Sequence, residues 1–317
     1  MTKRLAIIVP CYNEEEVFGD TNTTLVMYLK SLIKRELIDK RSFIVYVDDG
    51  SKDTTWNKIE EANKQYDCVD GIKLAGNRGH QNALYAGLME TKEIADMTVT
   101  IDADLQDDIN VIEEMIDKYY QGYEIVYGVR KNRDSDSIFK RKTAQVYYKL
   151  MNLLGCKTIY NSADFRLLSK RAVEELSKYS ETHLFLRGLV RELGLKEDCV
   201  YYTRKPRLKG KTKYSIGKMV SLGVDGVTSF SDKPLTIIIV IGLIAILISI
   251  IAIVYSLIRH IQGETVQGWT SLFVSIWFIG GVQLVSLGVI GKYVGKAYIE
   301  SKKRPRYIID EKLLKDN

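Results

Sequence analysis

At 317 residues the chain has room for one large domain and an appendage, and its 46 Lys and Arg against 40 Asp and Glu leave a formal net charge of +6. The cations gather beside two apolar stretches, which suits anionic lipid and phosphate and argues against nucleic acid as a partner. Cys11, Cys68, Cys156 and Cys199 show no CxxC spacing and read as ordinary buried thiols, kept reduced in a cytosolic domain.

Leu5 to Val9 reads as a buried parallel strand stopped by Pro10, followed by a helix from about Val17 to Glu36. Phe43 to Val47 is a second strand, halted by Asp48, Asp49, Gly50 and Ser51, and Asp53 is a candidate cap for the next helix. A short strand near Gly71 to Leu74 meets Gly76, Asn77, Arg78, Gly79 and His80, and a helix is expected from about Gln81 to Thr91. Strand, loop and helix repeated in this way predict an α/β sheet that binds ligands beyond the carboxyl ends of its strands. No GxGxxG follows the first strand and no GxxxxGK[ST] occurs, which excludes a dinucleotide-type Rossmann domain and a P-loop.

The stretch Val99 to Asp107 (VTIDADLQD) carries the chemistry. If Asp102 and Asp104 lie on a strand, their i, i+2 spacing aims both carboxylates one way, at a hard cation such as Mg²⁺ or Mn²⁺. Gln106 offers a third oxygen. Another strand, Glu124 to Tyr127, leads to Arg130. His80, His183 and His260 form no metal spacing.

Two stretches are too apolar for a soluble core: Leu235 to Ile258 is uncharged across 24 positions and Trp269 to Gly291 across 23. Each is long enough for a hydrocarbon core of ~30 Å. Basic residues crowd before the first and after the second, whereas the link carries Arg259 as its one firm cation. The positive-inside bias then places both termini in the cytoplasm and residues 259–268 outside. No secretory signal precedes Leu5, so the N-terminal portion is expected to stay cytosolic. The resulting plan is a catalytic domain over 1–213, an amphipathic juxtamembrane segment over 214–233, two membrane helices within 234–292 and a basic cytoplasmic tail over 293–317. Residues 137–154 and 214–230 mix cations with apolar positions and read either as interfacial helices or as helices packed on the domain.

Four motifs now stand in order: Val9 to Glu14 (VPCYNE), Asp48 to Ser51 (DDGS), Asn77 to His80 (NRGH) and Asp102 to Asp107 (DADLQD). Together they resemble the family-two glycosyltransferases of the GT-A fold. Within these the chain is most similar to the polyisoprenyl-phosphate group, which includes the bactoprenol glucosyltransferases and the dolichol-phosphate mannosyltransferases. The likeness runs from about residue 4 to 300; Asp108 and Ile109 depart from it, where many relatives have proline.

The resemblance implies that Pro10, Tyr12 and Glu14 line the base and ribose of a nucleotide sugar, with Val47 and Asp49 at the base edge and Ala103 beside the donor. It implies a metal segment of Asp102, Asp104 and Gln106, and an arginine, Arg130, that reaches the donor phosphates with Arg133 nearby. Arg207 and Lys213 resemble a basic loop that closes over the pyrophosphate; a lipid-binding patch is the competing reading. Asn161 to Arg166 (NSADFR) resembles the acceptor segment, with Asp164 near the anomeric carbon.

The function implied is inverting, metal-dependent transfer of a hexose to a membrane polyisoprenyl phosphate, in the inner or plasma membrane, for cell-envelope glycosylation. UDP-glucose is favoured over UDP-N-acetylglucosamine, UDP-galactose and GDP-mannose. A homo-oligomer and a flippase partner are compatible with it. A processive polysaccharide synthase is disfavoured, because Trp56, Trp269 and Trp277 are not preceded by Arg and no QxxRW motif exists. A non-catalytic nucleotide-sugar-binding partner of a flippase is the rival of another class.

Overall fold

The computed structural model describes residues 2–131, 159, 161–181, 184–203, 233–262 and 268–315. These fall into two compact units. The first is built on eight strands: β1 (Leu5–Cys11), β2 (Phe43–Asp48), β3 (Val69–Leu74), β4 (Met97–Thr100), β5 (Ile125–Arg130), β6 (Ser162–Ser169), β7 (Glu197–Tyr202) and β8 (Ile309–Leu313). They form one sheet in the order β7-β5-β6-β4-β1-β2-β3-β8. Only β6 and β8 pair antiparallel to their neighbours, so the sheet is mostly parallel, as expected of the GT-A class.

Helices α1 (Phe18–Lys34), α2 (Thr55–Gln65), α3 (His80–Thr91), α4 (Val111–Tyr120), α5 (Lys170–Ser177) and α6 (Leu186–Glu192) belong to this unit. Their apolar residues bury against strands such as β1 and β2, which have no exposed position at all. The chain lays β2 and β3 outward on one side of β1, then returns to place β4 on the other side. The carboxyl ends of β1 and β4 therefore flank the switch point, where sheets of this kind bind ligands.

Pro10 does not end β1. Ile8 O accepts Ile101 N (3.0 Å) and Cys11 O accepts Asp49 N (2.8 Å), so Pro10, alternating with Cys11, turns its nitrogen to the β4 side. Pairing with β4 stops at Ile8, and the missing N–H removes no ladder bond there.

The stretch read from sequence as a basic tail carries a strand. Residues 305–317 group with the sheet unit, and β8 pairs with β3 from Gly71 opposite Leu313 to Leu74 opposite Ile309. Lys73 adds ion pairs to Glu311 (2.5 Å) and Asp310 (3.4 Å). Beyond the strand, buried Asp70 accepts the Lys315 backbone N–H at 3.2 Å.

Burial lifts the Asp70 carboxyl from 3.8 to about 6. The folded chain then holds this proton more tightly than the unfolded chain, so stability falls as pH rises between those two values. The full cost, about 3 kcal/mol, is present above the folded value. Asp70→Asn is expected to raise the thermal midpoint at pH 8 and to leave it unchanged near pH 4; an equal shift at both would show that the ionised carboxylate carries no penalty.

The second unit contains α7 (Lys233–Ile261) and α8 (Trp269–Ser301). Among the described residues, Phe278–Ser301 is long and apolar enough to cross a membrane (24 residues, mean hydropathy 1.4), and Lys233–Ile244 is a shorter apolar stretch. Large apolar side chains along both helices are exposed, Leu243, Ile251, Leu284 and Val285 among them. The juxtamembrane segment, residues 137–154, and the centre of the 259–268 link lie outside the described residues.

Candidate active site

Asp102 and Asp104 are not placed by strand alternation. β4 ends at Thr100, and the two acids sit in the turn that follows. Leu105 N bonds to Asp102 O (3.2 Å), Leu105 takes φ 45°, and Asp104 accepts the Gln106 N–H at 3.3 Å. A chain reversal, rather than pleat geometry, presents the carboxylates. Thr21 on α1 anchors this turn by donating to Ala103 O (2.6 Å).

Asp107 anchors its far end. The Asp107 carboxylate, 1% exposed, accepts from Arg130 (2.9 Å) and from the Tyr202 hydroxyl (2.6 Å). Arg130 is the last residue of β5, not a residue beyond it, and it pairs in register with Tyr202. Burial alone would lower the Arg130 guanidinium's pKa, but Asp107 and Tyr202 raise it above its ordinary value.

Asp164 reaches the same rim from the opposite chain direction. β6 is antiparallel to β4, with Thr100 opposite Arg166, and the Thr100 hydroxyl donates to Asp164 O, which sets Asp164 beside the end of β4. Three elements hold its carboxylate. Arg166 donates from β6 itself; Arg187 on α6 donates through Nε (3.1 Å) and a terminal nitrogen (3.0 Å); Gln81 on α3 donates at 3.1 Å. Burial opposes the charge, yet Arg187 and Arg166 outweigh it and hold the carboxyl well below the usual carboxylate range. A group so held is a poor proton acceptor and a permanent negative charge.

The sequence gives His80 no metal-ligand spacing, and the structure places it between two carboxylates. Its Nε2 lies 3.4 Å from Asp102 and 3.7 Å from Asp164. Arg187, Gln81, Asp107 and Tyr202 were likewise missed. Asp107 belongs to the DADLQD run and was within reach of a sequence reading; Arg187 lies 23 positions from its partner and gave no local sign.

The nucleotide-side residues gather at the ends of β1 and β2. Pro10 pairs with Val47. Tyr12 and Glu14 lie in the β1–α1 loop, which is laced to the β2–α2 loop by Asn13 N to Ser51 (3.0 Å) and Glu14 N to Thr55 (2.9 Å). Asp49 is buried, and its oxygens accept the Arg78 N–H (2.7 Å) and the Gly79 N–H (2.9 Å), so it ties the β3–α3 loop to β2. Its neighbour Asp48 is fully buried, with Oδ2 on Ser51 N and Oδ1 without a hydrogen-bond partner among the described residues. Burial pushes up the pKa of both carboxyls. Arg207, Lys213 and Arg133 lie outside the described residues.

No group of three or more His, Cys, Asp or Glu side chains placed to hold a metal occurs among the described residues. Asp102 and Asp104 nevertheless fit a cation that takes its other ligands from substrate phosphates, as Mg²⁺ commonly does. Burial raises the Asp102 pKa, His80 opposes this, and the charges of Asp107, Asp164 and Asp104 raise it further. A cation would relieve that crowding.

The glycosyl transferase family 2 profile matches residues 6–177, which includes every strand end described above from β1 to β6. The chain is a family 2 glycosyl transferase. This glycosyl transferase is 49% identical over 306 residues to YkoT, an uncharacterized glycosyltransferase of Bacillus subtilis, covering 96% of this chain and 91% of that one. It is 38% identical over 311 residues to a prophage bactoprenol glucosyl transferase homolog of Escherichia coli, covering 96% and 98%. The bactoprenol glucosyl transferase of Shigella phage SfV is also 38% identical, over 308 residues, covering 96% and 98%.

Proposed function

We propose that this glycosyl transferase moves a hexose, glucose favoured, from a nucleotide sugar to a membrane polyisoprenyl phosphate, with inversion at the anomeric carbon. The observation that carries the reading is the end-to-end likeness, C-terminal apolar helices included, to relatives named bactoprenol glucosyl transferases. The site supports it. Carboxylates after β4 and at the start of β6 lie on either side of His80, and in this reading Pro10, Tyr12, Glu14, Val47 and Asp49, gathered at the ends of β1 and β2, line the base and ribose.

In this reading Asp102 and Asp104, with Gln106, would hold Mg²⁺ or Mn²⁺, which would supply positive charge beside the donor phosphates to offset that of the departing nucleoside diphosphate. Arg207 and Lys213 contribute to the same phosphates. Arg130, bound to Asp107, is better suited to bracing the metal turn than to leaving it for the donor. An acceptor phosphate has a second pKa near ~6, as phosphorylated side chains do, so it is already anionic at pH 7 and needs no strong base. Asp164 then orients the acceptor or stabilises positive charge at C1. The exposed apolar faces of α7 and α8 fit two membrane passages, with the sheet unit on the cytoplasmic side where nucleotide sugars are found.

Purified full-length protein should be incubated with undecaprenyl phosphate, Mg²⁺ and each of UDP-glucose, UDP-N-acetylglucosamine, UDP-galactose and GDP-mannose, and the lipid fraction read by mass spectrometry. A single hexose on the lipid phosphate, highest with UDP-glucose, is the expected product. Nucleotide-sugar binding without turnover on any donor would favour the non-catalytic flippase partner, and a polymeric product would favour a synthase.

A further inference from the structure

We propose that the Arg187 guanidinium is a binding site for the acceptor's phosphate monoester, for which the Asp164 carboxylate competes as an internal anion. The proposal rests on the reading of the acceptor as a lipid phosphate. Its first support is the shape of the contact. Arg187 meets Asp164 edge-on, Nε to Oδ1 at 3.1 Å and a terminal nitrogen to Oδ2 at 3.0 Å. A phosphate presents the same pair of oxygens to such a fork and, near neutral pH, carries more charge than a carboxylate.

Asp164 is also held by more donors than it needs. Arg166 and Gln81 remain on its two oxygens if Arg187 turns away, so the exchange leaves no buried charge unpaired. The two arginines differ in access: the Arg166 side chain is 3% exposed and that of Arg187 is 34% exposed. Arg166 is therefore the fixed counter-ion, and Arg187 is the one a ligand can reach.

The mount is rigid. Leu186 N donates to Gln81 Oε1 (3.1 Å) and Leu186 O accepts from Arg166 (3.2 Å), which fixes the backbone from which Arg187 projects. His80 Nε2 lies 3.7 Å from Asp164 and 3.4 Å from Asp102, so a phosphate on Arg187 is held beside the donor acids. A phosphate that captures the fork removes one of the positive charges balancing Asp164. The carboxylate's field at the anomeric carbon then strengthens only with acceptor in place.

Calorimetry on full-length protein in detergent, with farnesyl phosphate as probe, farnesol as its uncharged control and UDP with Mg²⁺ as the donor-side control, tests this. Arg187→Lys, which keeps the charge and loses the fork, and Arg187→Gln should each weaken farnesyl phosphate binding about tenfold or more. Farnesol and UDP should change by less than about twofold in both variants. Asp164→Asn should tighten farnesyl phosphate severalfold, because the competing anion is gone, an effect that a purely structural role for Arg187 does not produce. Unchanged farnesyl phosphate binding in both Arg187 variants, or weaker binding in Asp164→Asn, overturns the proposal and leaves the lipid-phosphate reading standing. A loss of UDP rather than of farnesyl phosphate assigns Arg187 to the donor and also overturns it. If wild type binds no farnesyl phosphate, both the site and the acceptor reading fail. Should Asp164→Asn unfold because Arg166 loses its buried partner, Arg187→Lys decides alone.

Discussion

Asp104→Asn is expected to lower turnover by at least about 10³-fold while the protein keeps its fold and its thermal midpoint stays within a few degrees. The Asp104 oxygen that accepts the Gln106 N–H at 3.3 Å has an equivalent in asparagine, so the turn after β4 persists. What is lost is one charge of the pair that would hold the cation. Charge stabilisation of the leaving group by a bound metal is worth several kcal/mol, and each 1.36 kcal/mol is a decade in rate. Asp107→Asn should act differently. Removing the charge that braces Arg130 and Tyr202 loosens the turn without deleting a ligand, so it raises the metal concentration needed and leaves more of the maximal rate. Rates measured against Mg²⁺ and Mn²⁺ concentration separate the two. Full activity of Asp104→Asn, or of wild type in excess EDTA, would remove the metal assignment.

How much of this was legible in the sequence depends on the range of the forces that placed each residue. Runs such as Leu5 to Val9 and Phe43 to Val47 are local signals, buried on both faces, and the structure has strands there. The β8 strand carried no such signal: its residues are exposed or half-buried, and it exists because the β3 edge offers register partners, Lys73 opposite Glu311 at a separation of 238 positions. A charged stretch with weak β propensity reads as a tail until that edge is known.

The candidate site divides in the same way. Asp102, Asp104 and Asp164 stand in short motifs and could be singled out from residue type and resemblance. The residues that set their chemistry could not. His80, Gln81 and Arg187 converge on Asp164 through the antiparallel register of β6 on β4 and the docking of α3 and α6, all long-range facts. Reading Asp102 and Asp104 as neighbours on one strand face failed for a local reason: the strand ends at Thr100, one residue before the β-branched run does. Asp49 shows the reverse case, a motif residue whose oxygens are engaged by the Arg78 and Gly79 backbone.

Asp164→Asn is expected to lower kcat by about 10² to 10⁴-fold, a range typical of a lost charge-stabilising or proton-transfer group. Donor binding, measured with UDP-glucose and Mg²⁺, should change by less than about tenfold, or ~1.4 kcal/mol, because Asp164 lies on β6 and outside the nucleotide-side loops. The variant should also be less stable, since Arg166, almost fully buried, loses its ionic partner. The pH dependence separates two roles for the carboxylate. As a general base it would need appreciable affinity for a proton, yet Arg187 and Arg166 hold its pKa well below the ordinary value. The reactive oxygen is then already anionic on the acceptor, and the rate should fall as pH drops through ~6, where a phosphate monoester takes up its second proton. That acid limb belongs to the substrate, so the residual activity of Asp164→Asn should show it at the same pH. If the limb disappears in the variant, Asp164 is the titrating base and the guanidiniums serve to tune it.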